Sequence, residues 1–134
     1  KMSCVTSVRY SVKFNGFILD SFAPSRGLRQ GDPLSPFLFL FIADGLSALL
    51  KDGELKGSFT PLKVCRRAPG ISHLLFVDDT LLFFKADDQQ AKEVRSIITT
   101  YESATGQLIN PAKCSIMFGN ACLESSQEDV HMAL

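Results

Sequence analysis

The feature that most restricts the fold is an apolar run at residues 73–84 that contains two adjacent aspartates, Asp78 and Asp79. Strands usually span 4–8 residues, so the run is better divided into two strands with the aspartates at the turn. Neighbouring side chains of a regular strand point to opposite faces, whereas at a tight turn one or both can project from the same end. The run therefore predicts a β-hairpin that carries two carboxylates at its tip.

The carboxylate pair suggests chemistry, because two charges beside an apolar core are costly unless something compensates them. Oxygen-rich sites suit Mg²⁺ or Mn²⁺, which makes Asp78 and Asp79 candidate metal ligands. Acidic residues are also common in surface turns, and this run alone slightly favours that simpler interpretation. A second acidic pair, Asp87-Asp88, is positioned to cap a helix.

A second hairpin is predicted near the start of the chain. Residues 8–14 alternate apolar and polar side chains, which is typical of a half-buried strand. Asn15-Gly16 and an apolar stretch follow, and Asn-Gly favours a type I′ hairpin turn because both turn positions need positive φ. Further short strands are predicted at residues 60–65 and 114–118, with a loop at 66–70.

A largely apolar helix is predicted after a turn-rich segment. Asp32 or Ser35 could cap it, and Ser35 is favoured because Pro36 inside the helix would cost a backbone hydrogen bond. The helix runs to about Lys51 and is apolar nearly all round, so it is deeply buried or faces something absent from this chain. Its apolar stretch is shorter than the ~20 residues of a membrane span.

Two amphipathic or capped helices follow. The first has Asp87 and Gln90 in the spacing of a capping box, apolar residues at helical intervals, and Gly106 where a C-terminal cap belongs. The second is predicted from Ser125 and Glu128, which have the same spacing.

Composition limits the class of protein. The chain has 134 residues, 46% hydrophobic and 21% charged, which suits one globular domain and excludes intrinsic disorder. The 14 basic residues balance the 14 acidic ones, which excludes nucleic-acid binding by bulk charge but leaves local acidic sites and basic patches open. The cysteines lack zinc or disulfide spacing, so reduced, mostly buried thiols and an intracellular location, nuclear or cytoplasmic, are expected.

A loop rich in glycine and arginine precedes the apolar helix. It reads Arg26-Gly27-Leu28-Arg29-Gln30-Gly31-Asp32-Pro33. Glycine lets the backbone approach a ligand closely, and arginine can bind phosphate through two parallel hydrogen bonds. The closing Gly-Lys-Ser/Thr of a P-loop is missing, so a turn-rich helix entry explains the loop as well as a phosphate site does.

The order of these motifs resembles that of reverse transcriptases. Residues 26–36, a helix, a gap of about forty residues and then Phe76-Val77-Asp78-Asp79 look like the enzymes of plant LINE-type, non-long-terminal-repeat retrotransposons. Group II intron enzymes are a more distant likeness. Residues 106–114 resemble the next block, in which a glycine, an asparagine and a lysine follow an amphipathic helix.

The resemblance implies an α+β fold, a partial polymerase palm in which an antiparallel sheet with hairpins is backed by helices. It implies attack of a primer 3′-hydroxyl on the α-phosphate of a deoxynucleoside triphosphate, with two metal ions. Asp78 and Asp79 would be the catalytic ligands of Mg²⁺ or Mn²⁺, with Asp78 the stronger candidate. The partners of the intact enzyme would be an RNA template, a DNA primer and the rest of the parent polypeptide.

The resemblance also implies roles for residues outside the aspartate pair. Lys113 matches a catalytic-site lysine near the triphosphate, and Phe76 would lie near the primer end. Four loop residues would lie beside the incoming nucleotide, its phosphates or the template: Arg26, Arg29, Gln30 and Gly31. The hairpin departs from the family's usual pattern, because Phe76 has no hydroxyl and Val77 is bulkier than the alanine often found there.

The family's first catalytic aspartate belongs to a block that would precede Lys1, as would the fingers, and the thumb would follow Leu134. We therefore expect residues 1–134 to form a single partial palm domain with two of three metal carboxylates and little or no polymerase activity alone. An exposed face of the apolar helix would favour self-association.

Two alternatives stay open. The chain could be another magnesium-dependent phosphotransfer or hydrolase domain that uses Asp78-Asp79, although a receiver-like version would need a parallel sheet. It could also be a non-enzymatic remnant of a mobile element that acts at most as an interaction module.

Overall fold

The computed structural model describes residues 7–25 and 31–134. The chain divides into two compact units, Lys1–Leu40 and Phe41–Leu134. The strands are β1 (Lys13–Phe14), β2 (Phe17–Ile18), β3 (His73–Phe76) and β4 (Asp79–Leu82), and the helices are α1 (Ser35–Leu55), α2 (Asp88–Thr105), a 3₁₀ turn (Pro111–Lys113) and α3 (Glu124–Ala133). β1 pairs with β2 and β3 with β4, both antiparallel, which confirms the α+β class and contradicts a receiver-like parallel sheet for the described strands.

The hairpin of the first unit has the predicted turn. Asn15 and Gly16 have φ of 46° and 86°, the two positive values that a type I′ turn requires. Beyond the short strands, Tyr10 and Phe22 form one isolated bridge, so the predicted strand at residues 8–14 is shorter than expected. β1 and β2 are exposed rather than half-buried, because the described part of this unit provides no second layer that covers them.

Helix α1 begins at Ser35 rather than using Ser35 as its cap. The Leu34 N–H donates to Asp32 Oδ1 at 2.8 Å, and the Ser35 N–H donates to the Asp32 carbonyl at 3.1 Å. The predicted Ser35 cap was therefore wrong, and Asp32, the other candidate, satisfies the N–H that precedes the helix. Pro36 stands in the first turn, where its missing N–H costs no helical bond.

Helix α1 ends at Leu55, beyond the predicted end at Lys51. Gly57 closes it with φ of 74°, and the Ser58 N–H donates to the Gly53 carbonyl at 2.9 Å, as in a Schellman motif. The helix passes through Gly53, which is buried against Ile97 and Phe59.

The core of the second unit joins α1, α2 and the segment between them. Its buried members are Leu46, Leu50, Phe59, Val94 and Ile98. Leu75 of β3 and Leu82 of β4 pack against this cluster, which anchors one face of the β3–β4 hairpin. A fully buried leucine contributes about 1.5–3 kcal/mol relative to exposure. The apolar residues of α1 therefore fall into two groups. Leu46 and Leu50 are buried in this core, whereas Phe37, Leu40 and Phe41, nearer the start of the helix, are exposed.

Helix α2 confirms its predicted signals. Asp87 Oδ1 accepts the Gln90 N–H at 3.2 Å, and Gly106 ends the helix with φ of 71°. Only half of the capping box forms, because Gln90 Oε1 instead accepts the Thr60 N–H at 2.8 Å. Asp88 pairs with Lys92 one turn later, so the second acidic pair serves the helix, as predicted.

Three local predictions were wrong. Residues 60–65 contain one bridge, Leu62 to Ile71, because Pro61 has no N–H to donate and no longer partner segment lies beside it. Residues 114–118 form no strand, since no described segment pairs with them. Helix α3 has Leu123 at its cap position without a side-chain bond, so the predicted capping box at Ser125 does not form.

The thiols are less buried than expected. Cys65 and Cys114 are exposed and Cys122 is half-buried, because each lies in or beside a loop. Cys4 lies outside the described residues, as do Arg26, Arg29 and Gln30. In the described part of the chain, no helix combines the length and apolar character needed to cross a membrane.

Candidate active site

The β3–β4 hairpin brings the two aspartates to its tip. The register pairs Phe76 with Asp79 and leaves Val77 and Asp78 as a two-residue turn. The predicted division of the apolar run into two strands is therefore confirmed. Asp78 lies in the turn as expected, whereas Asp79 is the first residue of β4.

The turn holds Val77 in an uncommon backbone conformation. Val77 has φ of 52°, and Asp78 does not share a positive φ, which is the φ pattern of a type II′ turn. The first position of this turn normally takes glycine, and a β-branched residue there costs about 1–3 kcal/mol. Such strain is concentrated at functional sites, where the surrounding structure enforces it. Leu75 and Leu82 supply that enforcement here by fixing both strands on the core.

The two faces of the hairpin have different environments. The face of Leu75 and Leu82 packs on the core, and the opposite face is open. Cross-strand partners share a face, so Asp79 lies on the open face with Phe76. Leu74 and Leu81 continue that face and are 51% and 58% exposed, and Phe76 is 77% exposed. One carboxylate is therefore bordered by an accessible apolar surface.

A histidine joins the base of the hairpin to helix α1. Ser47 Oγ lies 2.8 Å from His73 Nε2, and Ser72 Oγ lies 3.0 Å from His73 Nδ1. Burial lowers the pKa of His73, nearby Lys51 lowers it further, and Glu54 raises it. A neutral imidazole has one donor and one acceptor nitrogen, and the two hydroxyls satisfy both.

This contact between Ser47, Ser72 and His73 was not predicted from the sequence. Ser47 and His73 are 26 residues apart, and only the fold brings them together. The only local signal is a histidine at the start of an apolar run, which predicts no partner.

The donor chemistry of the aspartate turn fits a divalent cation. Asp78 and Asp79 are both exposed and offer adjacent carboxylate oxygens, which are the ligands that Mg²⁺ and Mn²⁺ prefer. Within residues 7–25 and 31–134, no group of three or more His, Cys, Asp or Glu side chains has a metal-binding arrangement. At the turn, the described residues therefore offer two carboxylates, those of Asp78 and Asp79.

The other predicted site residues are not gathered at the turn by any described contact. Lys113 ends the 3₁₀ turn, is exposed, and makes no side-chain hydrogen bond or ion pair with the residues the structure describes. Gly31 belongs to the first unit and has φ of 83°, a conformation that suits glycine. Of the non-aspartate candidates, Phe76 alone among the described residues is paired with an aspartate of the turn.

Comparisons with known proteins agree with the motifs. The family model described as "Reverse transcriptase (RNA-dependent DNA polymerase)" matches residues 2–132. An uncharacterized mitochondrial protein of Arabidopsis thaliana is 51% identical over 57 residues, which are 42% of this chain and 47% of that protein. The retrovirus-related Pol polyprotein from type-1 retrotransposable element R2 of Popillia japonica is 34% identical over 116 residues.

The polyprotein alignment covers 85% of this chain but only 18% of the polyprotein. The chain therefore spans less than half of either relative. No solved structure gives a significant match. The expected resemblance to retrotransposon enzymes is confirmed by a family match over nearly the whole sequence, and the chain belongs to the reverse transcriptase family.

Proposed function

We propose that this chain is part of the catalytic palm of an RNA-directed DNA polymerase and that Asp78 and Asp79 are its metal ligands. The observation that supports the proposal best is the two-residue turn, which presents Asp78 at the tip of a hairpin anchored on the core. A family match over residues 2–132 supplies the reaction class.

The reaction joins a primer to an incoming deoxynucleoside triphosphate. The primer 3′-oxygen forms a bond to the α-phosphorus, the bond to the β-phosphate oxygen breaks, and pyrophosphate leaves. Asp78 and Asp79 would hold Mg²⁺ or Mn²⁺, which when bound neutralises phosphate charge and activates the primer hydroxyl. The anchored hairpin keeps both carboxylates in place while the substrates change.

The open face of the hairpin gives the primer end a surface on which to rest. Phe76 is paired with Asp79 and exposed, so an apolar ring lies beside a carboxylate. Stacking of a base on an aromatic ring is worth about 1–3 kcal/mol. We assign Phe76 to the primer terminus on this basis.

The remaining assignments follow the family pattern. Lys113 is proposed to neutralise the triphosphate, because an exposed lysine without an ion-pair partner in the described residues is available for it. The segment before α1 is proposed to contact the nucleotide and template through Arg26, Arg29, Gln30 and Gly31.

We propose further that residues 1–134 are one part of the palm domain and that catalysis needs a third carboxylate from outside them. The span of 18% of the R2 polyprotein is consistent with a piece of a longer enzyme. The chain alone would then extend primers weakly or not at all.

Primer extension on an RNA template, with Mg²⁺ and with Mn²⁺, tests the proposal. The chain is compared with a version extended upstream in the same reading frame. Each version is assayed without a substitution, with Asp78→Ala and with Asp87→Ala. Asp87→Ala is the matched control, because it also replaces an aspartate by alanine, but at a helix cap rather than at the turn. We expect extension by the longer version and a loss of more than about 100-fold in Asp78→Ala only.

Equal loss in both variants would contradict a metal-ligand role for Asp78. Extension by neither version, with both folded, would favour the non-enzymatic alternative, a remnant that acts as an interaction module.

A further inference from the structure

A second charged surface lies in the loop between α1 and β3. Lys63, Arg66 and Arg67 are all exposed there. The chain has no Asp or Glu between Glu54 and Asp78, so these cations have no acidic neighbour in sequence. None of the three makes an ion pair with any residue that the structure describes.

Two lysines of the same unit are neutralised by ion pairs. Lys56 pairs with Asp52 and Lys92 pairs with Asp88, each across one helical turn. The loop differs from these ion pairs because its three cations lie within five residues of sequence and pair with no described carboxylate, although Glu54 Oε1 lies near Gly70 at the end of the loop. In a protein of zero net charge, such a patch is a local feature rather than a consequence of composition.

The loop is held at its base. Leu62 and Ile71 exchange backbone hydrogen bonds of 3.0 and 2.8 Å, which closes residues 62–71 into a loop. Inside it, the Ala68 N–H donates to the Cys65 carbonyl at 3.0 Å, so a turn fixes the backbone next to the arginines. Because this backbone is already ordered, binding of a ligand costs less loss of conformational entropy in the loop.

Close packing reinforces the closure. A Cβ on Gly70 would lie 2.6 Å from Pro61 Cγ, so the two ends of the loop approach more closely than any side chain at position 70 would allow. The Thr60 N–H donates to Gln90 Oε1 at 2.8 Å, which ties the loop entry to helix α2. The loop exit is likewise fixed, since the Phe83 N–H donates to the Ser72 carbonyl at 2.8 Å.

The loop and the aspartate turn lie at opposite ends of the β3–β4 hairpin. Phe76 is five positions beyond Ile71, which is about 16 Å of extended strand. Among the described residues, none of the three loop cations forms an ion pair with Asp78 or Asp79.

Two adjacent arginines and a lysine are suited to phosphate, because guanidinium groups donate paired hydrogen bonds to phosphate oxygens. We propose that the loop of residues 62–71 binds the phosphodiester backbone of a nucleic acid through Lys63, Arg66 and Arg67. The choice of nucleic acid over other polyanions rests on the proposed polymerase function.

Fluorescence anisotropy with the full 134-residue chain tests this inference. The probes are a labelled single-stranded RNA and a labelled RNA–DNA hybrid. Comparison of the two shows whether the loop binds a single strand or a hybrid duplex. Affinity is measured between about 50 and 200 mM salt, without metal or nucleotide. The variant is Arg66→Gln/Arg67→Gln, and the matched control is Lys56→Gln/Lys92→Gln, which removes the same charge from two existing ion pairs.

The slope of log affinity against log salt is negative, and each lost phosphate contact reduces its magnitude by about 0.7–0.9. For the arginine variant, we therefore expect the magnitude of this slope to decrease by about 1.4–1.8. We also expect its affinity to fall at least about tenfold at the lowest salt. The control variant is expected to keep the wild-type slope. Circular dichroism of both variants establishes that they are folded.

Three results would overturn the inference. They are an unchanged slope in the arginine variant, equal losses in both variants, and no binding of either probe by the wild type at the lowest salt. Displacement of RNA by polyglutamate of equal charge would overturn the nucleic-acid assignment. Because the assay contains no metal or nucleotide, its outcome is separate from the success or failure of primer extension.

Discussion

Ser47 Oγ lies 2.8 Å from His73 Nε2, and this contact joins helix α1 to the strand that leads to the aspartate turn. Leu75 follows on the same face of β3 and packs on the core cluster. The hairpin is thus held by one polar contact at its base and by apolar packing along its length. The aspartates at the tip take their position from both.

Acidification is expected to destabilise the protein through His73. Burial lowers its folded-state pKa below the ordinary value of 6.5, so the unfolded chain binds this proton more readily. The contribution of His73 to the free energy of unfolding is therefore complete above about pH 6.5. It decreases as the pH falls from there towards the folded-state pKa of His73. Urea unfolding from about pH 7.5 to about pH 5.5 measures the effect.

The His73→Gln variant is expected to show a weaker pH dependence in that window. His131→Gln removes the other histidine, which contacts Phe118, and is measured in parallel. A His73→Gln variant with the full wild-type dependence would exclude His73 as its source.

Glycine in place of Val77 is expected to stabilise the protein. Val77 has φ of 52°, which glycine adopts without a steric cost. Relief of about 1–3 kcal/mol of strain exceeds the added unfolded-chain entropy of about 0.5–1 kcal/mol, so the net gain is about 1 kcal/mol. Urea unfolding of Val77→Gly is compared with Val64→Gly, an equally apolar loop residue without positive φ. A loss of stability in both variants would show that Val77 is not strained.

Two glycines of helix α1 are expected to respond oppositely to alanine. At Gly45 a new Cβ would have no described atom within 4 Å apart from its chain neighbours and the helix's own backbone, so Gly45→Ala should stabilise by up to about 1 kcal/mol through helix propensity. At Gly53 a Cβ would lie 2.8 Å from Ile97 Cδ1 and 3.1 Å from Phe59, so Gly53→Ala should cost about 1–3 kcal/mol. Thermal unfolding of the two variants distinguishes them, and equal gains would mean that the core yields freely at Gly53.

Self-association is expected through the exposed half of helix α1. Phe37, Leu40 and Phe41 are spaced to share one helical face, and Phe41 is 76% exposed. Sedimentation velocity over a concentration series should show dimers or larger species that Phe41→Glu reduces. Phe17→Glu is the matched control, since Phe17 is also 76% exposed but lies in β2. A wild-type chain that stays monomeric at high concentration would contradict this prediction.

Local signals predicted the elements that local geometry decides. Asn15-Gly16 and the capped helix α2 follow from turn and cap chemistry within a few residues, and so does the division of residues 73–84. The same reasoning failed at residues 60–65, where strand formation depended on a distant partner and only Ile71 was available. Cap spacing also failed at Ser125, because matching residues need the correct backbone approach as well.

The features that support the candidate site were not readable from the sequence. The approach of Ile97 to Gly53 and the bond between Ser47 and His73 arise only when separate segments pack. The positive φ of Val77 arises because both strands are fixed on the core and the turn must close in two residues. The turn at Asp78 was predictable from the sequence, and the strain at Val77 beside it was not.

A metal-rescue measurement tests the central claim most directly. The Asp78→Cys variant of the upstream-extended enzyme is assayed for primer extension in Mg²⁺ and in Mn²⁺, with Asp87→Cys as the control. A thiolate is a poor ligand for Mg²⁺ and a better one for the softer Mn²⁺. We predict that Asp78→Cys loses more than about 100-fold in Mg²⁺ and recovers at least about tenfold in Mn²⁺ relative to wild type. An Asp78→Cys enzyme whose ratio of Mn²⁺ to Mg²⁺ activity equals that of the wild type would contradict direct metal binding by Asp78.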